Sequence, residues 1–166
     1  MLLDVSYILR NQGEILNFSK ECELDNTLFK KQHMIFTGAV KIEGLVRNIG
    51  GVLTLEATIT GTYETPCDRC FEKTVQKIDM PVNETYVKSE DVAESKQAEV
   101  LADEKIDLVE LIIKNVFLQM ETKHLCREDC KGICQKCGEN LNKAECKCTD
   151  DEDWNPQFEI LKGLFS

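Results

Sequence analysis

The run MIFTGAVKIEGLVRNIGGVLTLEATITGTYET, Met34 to Thr65, decides how the first half of the chain folds. It is rich in Val, Ile, Leu and Thr with partial alternation of apolar and polar positions, the pattern of strands with one buried face. Gly50 and Gly51 interrupt it midway. Both central positions of a tight hairpin turn can require positive φ, so a Gly-Gly pair between two strand-like runs predicts an antiparallel hairpin. Similar runs flank it: LDVSYIL and EILNFSKECEL before, TVQKIDMPVNETYV after, with Gly38, Gly44 and Gly61 as further punctuation. Residues 1–88 are therefore expected to form an antiparallel sheet or partial barrel.

After Tyr86 the character changes. SEDVAESKQAEVLADEKIDLVE, Ser89 to Glu110, is acidic and poor in β-branched and aromatic residues, so residues 89–105 read as an acidic loop or linker. Residues 106–166 open with IDLVELIIKNVFLQM, in which Ile106, Val109, Ile112, Ile113, Val116, Phe117 and Met120 recur at helical spacing. Asp107 followed by Glu110 has the form of a capping box. This helix is expected to pack on the sheet with Phe117 and Met120 as core, so that its end sets where the following tail meets the sheet. DDEDWNPQFEILKGLFS reads as a short amphipathic helix after Pro156. No internal repeat is evident. The expected fold class is α+β: a sheet or partial barrel, one main packing helix, and a cysteine-rich, zinc-binding C-terminal tail.

The amino-terminal MLLDVSYILRNQ has no basic leader before an apolar run, and no stretch approaches the roughly 18 consecutive apolar residues that a membrane span needs. A cytoplasmic protein is expected. In a reducing compartment the odd set of 9 cysteines makes a poor disulfide framework, so metal ligation is the leading use for them. The net charge of −10 repels a phosphate backbone on average. Against that average, Lys123, Arg127, Lys131, Lys136, Lys143 and Lys147 gather between Lys123 and Lys147.

That segment also holds HLCREDCKGICQKCGENLNKAECKC, His124 to Cys148. Cys134 and Cys137, followed by Gly138, suit a tight knuckle whose backbone amides can face sulfur, and Cys146 with Cys148 would complete a closed, four-thiolate structural zinc site. Cys67 and Cys70, in TPCDRCFE, can combine with Cys126 and Cys130 as a second set. Two other arrangements stay open. Cys126, Cys130, Cys134 and Cys137 can form one site and leave Cys146 and Cys148 to Cys67 and Cys70, or His124 can replace a sulfur. One or two Zn2+ ions are expected. His124 is otherwise expected at the surface near the helix end, Cys22 as an inert or core thiol, and His33 in solvent. Iron–sulfur ligation fits less well, because the spacing matches neither ferredoxin pattern. A thioredoxin-like role would want its thiol pair at a helix start in a βαβ pattern, whereas Cys67 and Cys70 lie between strand-like runs.

Phosphate-binding glycine loops, nucleophile elbows and His-Glu zinc helices are all lacking, so an enzyme is not expected. The Cys-x-Arg-Cys element between strands, then IDLVELI, then LCREDCKGICQKCGENLN with a final Cys-x-Cys, together resemble the YceD family, described as large ribosomal RNA subunit accumulation proteins. The resemblance runs roughly from Gly38 to the carboxyl terminus. It matches at Cys67, Arg69, Cys70, Cys126, Cys130, Gly132, Cys134, Cys137, Gly138, Asn140, Leu141, Asn142, Cys146 and Cys148. Gln135 departs from a common proline, and NPQ replaces a common DPR. The resemblance implies a non-enzymatic factor in large ribosomal subunit biogenesis that binds pre-ribosomal RNA or an assembling particle, without membrane or small-molecule substrate. Arg69, Lys73, Lys77, Arg127, Lys131, Lys136 and Lys143 are the candidate phosphate contacts, as cations beside rigid knuckles. The alternative is docking of a basic ribosomal protein on Ser89 to Glu110 without RNA contact.

Overall fold

In a computed structural model, residues 1–88, 98–101 and 103–148 are described. The elements are β1 (Leu2–Asp4), α1 (Ser6–Arg10), β2 (Ile15–Cys22), a 3-10 helix (Asn26–Gln32), β3 (Ile35–Phe36), β4 (Val40–Ile49), β5 (Val52–Pro66), β6 (Lys73–Val87), β7 (Glu99–Val100), β8 (Lys105–Asp107) and α2 (Leu108–Gln119). Gly50 and Gly51 make the expected turn with φ of 62° and 84°, and Ile49 pairs with Val52 across it. The main sheet runs β2-β4-β5-β6-β7, with β3 beside the far end of β5. It is mostly antiparallel, and among the described residues it does not close into a barrel. The last pair, β6 with β7, is parallel, which makes the sheet mixed.

Strict alternation builds the core face. Leu53, Leu55, Ala57 and Ile59 of β5 are buried beside Val40, Ile42 and Val46 of β4, and the register sets Val46 opposite Leu55 and Ile42 opposite Ile59. Leu108, Leu111, Ile112 and Val116 of α2 join the same core. Asp107 caps α2 by accepting from the Val109 N–H at 2.9 Å, and it also meets the N-terminal ammonium at 3.2 Å. Gln119 donates to the Pro81 carbonyl at 3.1 Å and Lys114 pairs with Glu84 at 3.0 Å, so the helix lies along β6. Met120 packs partly buried against the core. Phe117 is a correction: it is 40% exposed and stacks on Phe29 with ring centroids 5.1 Å apart, on the flank of the buried stripe.

Two strand readings also change. LDVSYIL forms only the short β1 before turning into α1. The Asp4 carboxylate accepts from the Ser6 N–H at 2.9 Å, and the buried Asn48 amide donates to the Ile8 carbonyl at 2.7 Å. A cap arriving from another strand thus overrides local β propensity. The run from Met34 splits into β3 and β4 because the Asn26 side chain takes both backbone groups of Phe36, at 2.7 Å and 3.3 Å. Of the acidic stretch, residues 89–97 lie outside the described residues, and β7 and β8 follow, β8 pairing with β1. The helix expected after Pro156 also lies outside them. Among the described residues no helix is long and apolar enough to cross a membrane.

Candidate metal centre

The ribbon of β5 and β6 is the lever that positions the site. The two strands stay paired from Leu53 opposite Tyr86 to Pro66 opposite Lys73, and the connection at their tip is CDRCFE. There the Cys67 N–H donates to the Glu72 carbonyl at 2.8 Å, and the Phe71 N–H donates to the Cys67 carbonyl at 2.9 Å. The tail repeats this knuckle: the Cys134 N–H donates to the Glu139 carbonyl at 2.8 Å, and the Gly138 N–H to the Cys134 carbonyl at 2.9 Å. In both, the residue after the second cysteine is left-handed, Gly138 at φ 76° and Phe71 at φ 60°. CDRCFE and CQKCGE are thus two copies of one turn, a repeat the sequence analysis missed. The shared Cys-x-x-Cys-x-Glu was the available signal.

The tail docks on the first knuckle through long-range hydrogen bonds. The Asp68 N–H donates to the His124 carbonyl at 2.8 Å, the His124 N–H to the Asp68 carboxylate at 2.6 Å, and the Gln76 amide to the Leu125 carbonyl at 3.0 Å. The Arg69 guanidinium donates to the Cys130 carbonyl at 2.8 Å, and the Ile133 N–H donates to the Arg69 carbonyl at 3.1 Å. These bonds select among the open groupings. Cys67, Cys70, Cys126 and Cys130 come together as one set, and Cys134, Cys137, Cys146 and Cys148 as another, each with all sulfurs within 4.8 Å of one another. His124 belongs to neither and is not at the surface. It is 8% exposed, with Nδ1 3.3 Å from the Tyr63 hydroxyl. Cys22 packs half-buried against the main core, and His33 is exposed, at φ 55°.

All nine cysteines are free thiols. A tetrahedral ion with bonds of about 2.3 Å to sulfur holds its sulfurs about 3.8 Å apart. Cys67 to Cys130 is 3.8 Å and Cys70 to Cys126 is 3.7 Å, so the first set is already spaced for one four-coordinate ion. The second set is tighter, with Cys134 to Cys146 at 3.2 Å and Cys137 to Cys146 at 3.5 Å. Amides support the sulfurs: Lys136 N–H to Cys134 at 3.4 Å and Cys148 N–H to Cys146 at 3.2 Å. The two sets differ in setting. Cys67, Cys70 and Cys130 are buried in a small cluster separate from the main core, whereas Cys137 and Cys148 are exposed.

The thiols are strongly unequal. Burial pushes Cys67 up, but the N–H groups of Cys126, Arg69 and Cys70 outweigh it and bring it down to about 6. The Cys137 N–H, the Cys146 thiol and the Lys136 N–H bring Cys134 down to about 6. Burial and the neighbouring Cys130 and Cys70 sulfurs push Cys126 up to about 12, and the Cys146 and Cys137 sulfurs push Cys148 up to about 12. One sulfur of each set ionises readily while another resists, because crowded thiolates repel. A central divalent cation removes that opposition, and both sets can hold one.

Most of the candidate phosphate contacts have work inside the chain. Arg69 clamps the tail; Lys73 pairs with Glu64 at 2.7 Å; Arg127 reaches Asp129 at 3.4 Å and donates to the Asn142 side-chain oxygen at 2.8 Å; Lys143 pairs with Glu72. Lys136 also has an interaction of its own. The Lys77 and Lys131 side chains have no hydrogen-bonded or ion-paired partner among the described residues. Ile35, Phe71 and Val75 are 51%, 66% and 61% exposed, and Ile35 and Phe71 line one shallow cleft with Lys73. Ile35 and Val75 both sit opposite Glu64, on the outer face of the ribbon.

Comparison with known proteins identifies a family. The profile of the family described as "Large ribosomal RNA subunit accumulation protein YceD" matches residues 55–165, a span that includes both cysteine sets. An uncharacterised protein of Mycobacterium tuberculosis (strain H37Rv) is 30% identical over 88 residues, 48% of this chain and 42% of that protein, so the match spans less than half of the relative's length. An uncharacterised protein of Mycobacterium leprae is 23% identical over 146 residues, 85% of this chain and 67% of the relative. The chloroplastic "Large ribosomal RNA subunit accumulation protein YCED homolog 1" of Arabidopsis thaliana is 42% identical over 48 residues, 29% of this chain and 15% of the relative. No solved structure matches. With the match extending from β5 through both knuckles, the chain belongs to the YceD family.

Proposed function

We propose that this protein is a non-enzymatic factor in large ribosomal subunit biogenesis, binding pre-ribosomal RNA or the assembling particle through a zinc-stapled platform at the tip of the β5–β6 ribbon. The observation that carries the reading is the family match across both cysteine sets, and the plant relative's name points to the same process. Each set would hold one Zn2+ through four thiolates, with no open position for substrate, so the ion is structural. Phe71 is the residue on which the interface centres. A phenylalanine occupies a left-handed position that the twin knuckle gives to glycine, at a cost of about 1–2 kcal/mol, and its ring faces solvent. An exposed aromatic lining one shallow cleft with Lys73, with Lys77 further along the same ribbon, suits stacking of an unpaired base with cations for neighbouring phosphates.

The test is binding of large-subunit ribosomal RNA fragments across a salt series. Affinity should fall steeply with salt, weaken with Phe71→Ala, and lose salt slope with Lys77→Glu. Binding indifferent to salt and to both substitutions would refute the RNA reading. A second reading, docking of a basic ribosomal protein, draws on the internal pairing of most basic residues and on a cleft in which Glu99, Asp103, Asp107 and Glu110 outnumber Lys105 and Lys114, beside Tyr86 and Leu111. It predicts that charge reversal at Glu99 and Glu110 abolishes capture of that protein and leaves RNA binding intact.

A further inference from the structure

Asn142 lies in the loop between Cys137 and Cys146 of the second cysteine set, yet its side chain touches a sulfur of the first. Its amide nitrogen donates to Cys130 Sγ at 3.3 Å. Its oxygen accepts from the Lys131 N–H at 2.9 Å and from Arg127 at 2.8 Å. Both of those partners can only donate, so chemistry fixes which end of the amide faces sulfur. Asn140 braces the arrangement by accepting from both the backbone and the side-chain N–H of Asn142, at 2.9 Å and 3.0 Å.

The second set fixes the two ends of this loop, and hydrogen bonds to the segment before it complete its placement. The knuckle from Cys134 to Glu139 closes its start, Ile133 bridges to Asn140, and the Leu141 N–H donates to the Gly132 carbonyl at 3.0 Å. The Cys146 sulfur, 3.2 Å from Cys134, closes its end. An ion holding these four sulfurs therefore holds Asn142 against Cys130.

We infer that Asn142 couples the two metal centres, so that loading of the exposed Cys134/Cys137/Cys146/Cys148 centre tightens the buried Cys67/Cys70/Cys126/Cys130 centre through the amide donated to the Cys130 sulfur. This rests on the reading that both sets bind metal. A hydrogen bond to a ligand sulfur offsets its charge and fixes its lone pair toward the ion, and loss of such a supporting partner costs about 10- to 100-fold in metal affinity. Coupling between binding sites is reciprocal, so the buried centre tightens the exposed one by the same factor.

The test measures the dissociation constant of the buried centre for Zn2+ by chelator competition in reduced protein, with native mass spectrometry counting ions. Three variants are compared with the wild type: Asn142→Asp, Cys137→Ser/Cys148→Ser, and their combination. Asn142→Asp keeps the oxygen that Lys131 and Arg127 need and the backbone N–H that Asn140 accepts, while it loses the side-chain N–H given to sulfur and to Asn140. Removing Cys137 and Cys148 leaves all four buried ligands in place, and cobalt(II) charge-transfer absorption in that variant reports whether the centre remains four-sulfur. The expected result is weakening of about 10- to 100-fold in either single background and little further loss in the combination. A wild type that binds two ions while either background leaves the buried centre's affinity unchanged overturns the coupling and spares the metal reading. A wild type that binds no ion overturns both.

Discussion

If the buried set holds an ion as proposed, removing that ion should cost the fold a calculable amount. That centre ties Cys70 to Cys126, 56 residues apart in sequence and 3.7 Å apart in space. Treated as a cross-link that constrains the unfolded chain, a closure of this length is worth about 4 kcal/mol at 25 °C. For a domain of this size each kcal/mol moves the thermal midpoint by about 2–4 °C, so loss of the staple predicts a fall of about 8–16 °C. The perturbation is Cys70→Ser, or a strong chelator on the wild type under reducing conditions, and the assay is thermal unfolding followed by circular dichroism. The chelator, which strips the ions of both sets, should lower the midpoint at least as far as Cys70→Ser does. A midpoint that stays put after metal analysis shows the ion gone would refute the claim that the buried centre staples tail to sheet.

Three further outcomes are expected. Gly132 is at φ 77°, and a Cβ there would lie 3.0 Å from the Arg69 carbonyl oxygen; Gly132→Ala should therefore cost about 1–2 kcal/mol, read as a lower midpoint in denaturant titration. Arg69→Lys keeps the charge but loses the planar donor that reaches the Cys130 carbonyl, so it should accelerate chelator-driven loss of the buried ion, whereas a pure phosphate-contact role would leave that rate unchanged. On acidification the sign follows from the depressed thiols: with Cys67 and Cys134 at about 6 in place of the ordinary 9.0, their ionised forms stabilise the fold above the ordinary value, and this is lost as pH falls through about 6. Because protons compete with the ion for the thiolates, metal should be retained at pH 7 and released on acidification, which elemental analysis after buffer exchange at stepped pH would check.

Much of this was legible in the sequence where the deciding contacts are local. Gly50-Gly51 announces its hairpin because turn chemistry is a matter of adjacent residues, and Asp107 announces α2 because a cap acts on its own first turn. Where a partner comes from far along the chain, the sequence is silent. LDVSYIL has strand composition, but the Asn48 amide, 40 residues away, caps a helix there. Thiol spacing permits several groupings; the Asp68–His124 and Gln76–Leu125 bonds settle them, and neither pair is visible in spacing. Lys73 and Lys143 resemble free cations until the fold brings Glu64 and Glu72 to them. Phe71 was readable in principle, since aligning CDRCFE with CQKCGE sets a phenylalanine where a glycine belongs.

The most direct test of the account is native mass spectrometry with elemental analysis of reduced, full-length protein purified without chelator. Two zinc ions per chain, falling to one in the Cys137→Ser/Cys148→Ser variant with the first set still loaded, is the predicted result. Metal-free protein whose amides from Cys126 to Cys148 are nonetheless fully protected from hydrogen exchange would contradict it, because the platform would then hold together without the ions assigned to it.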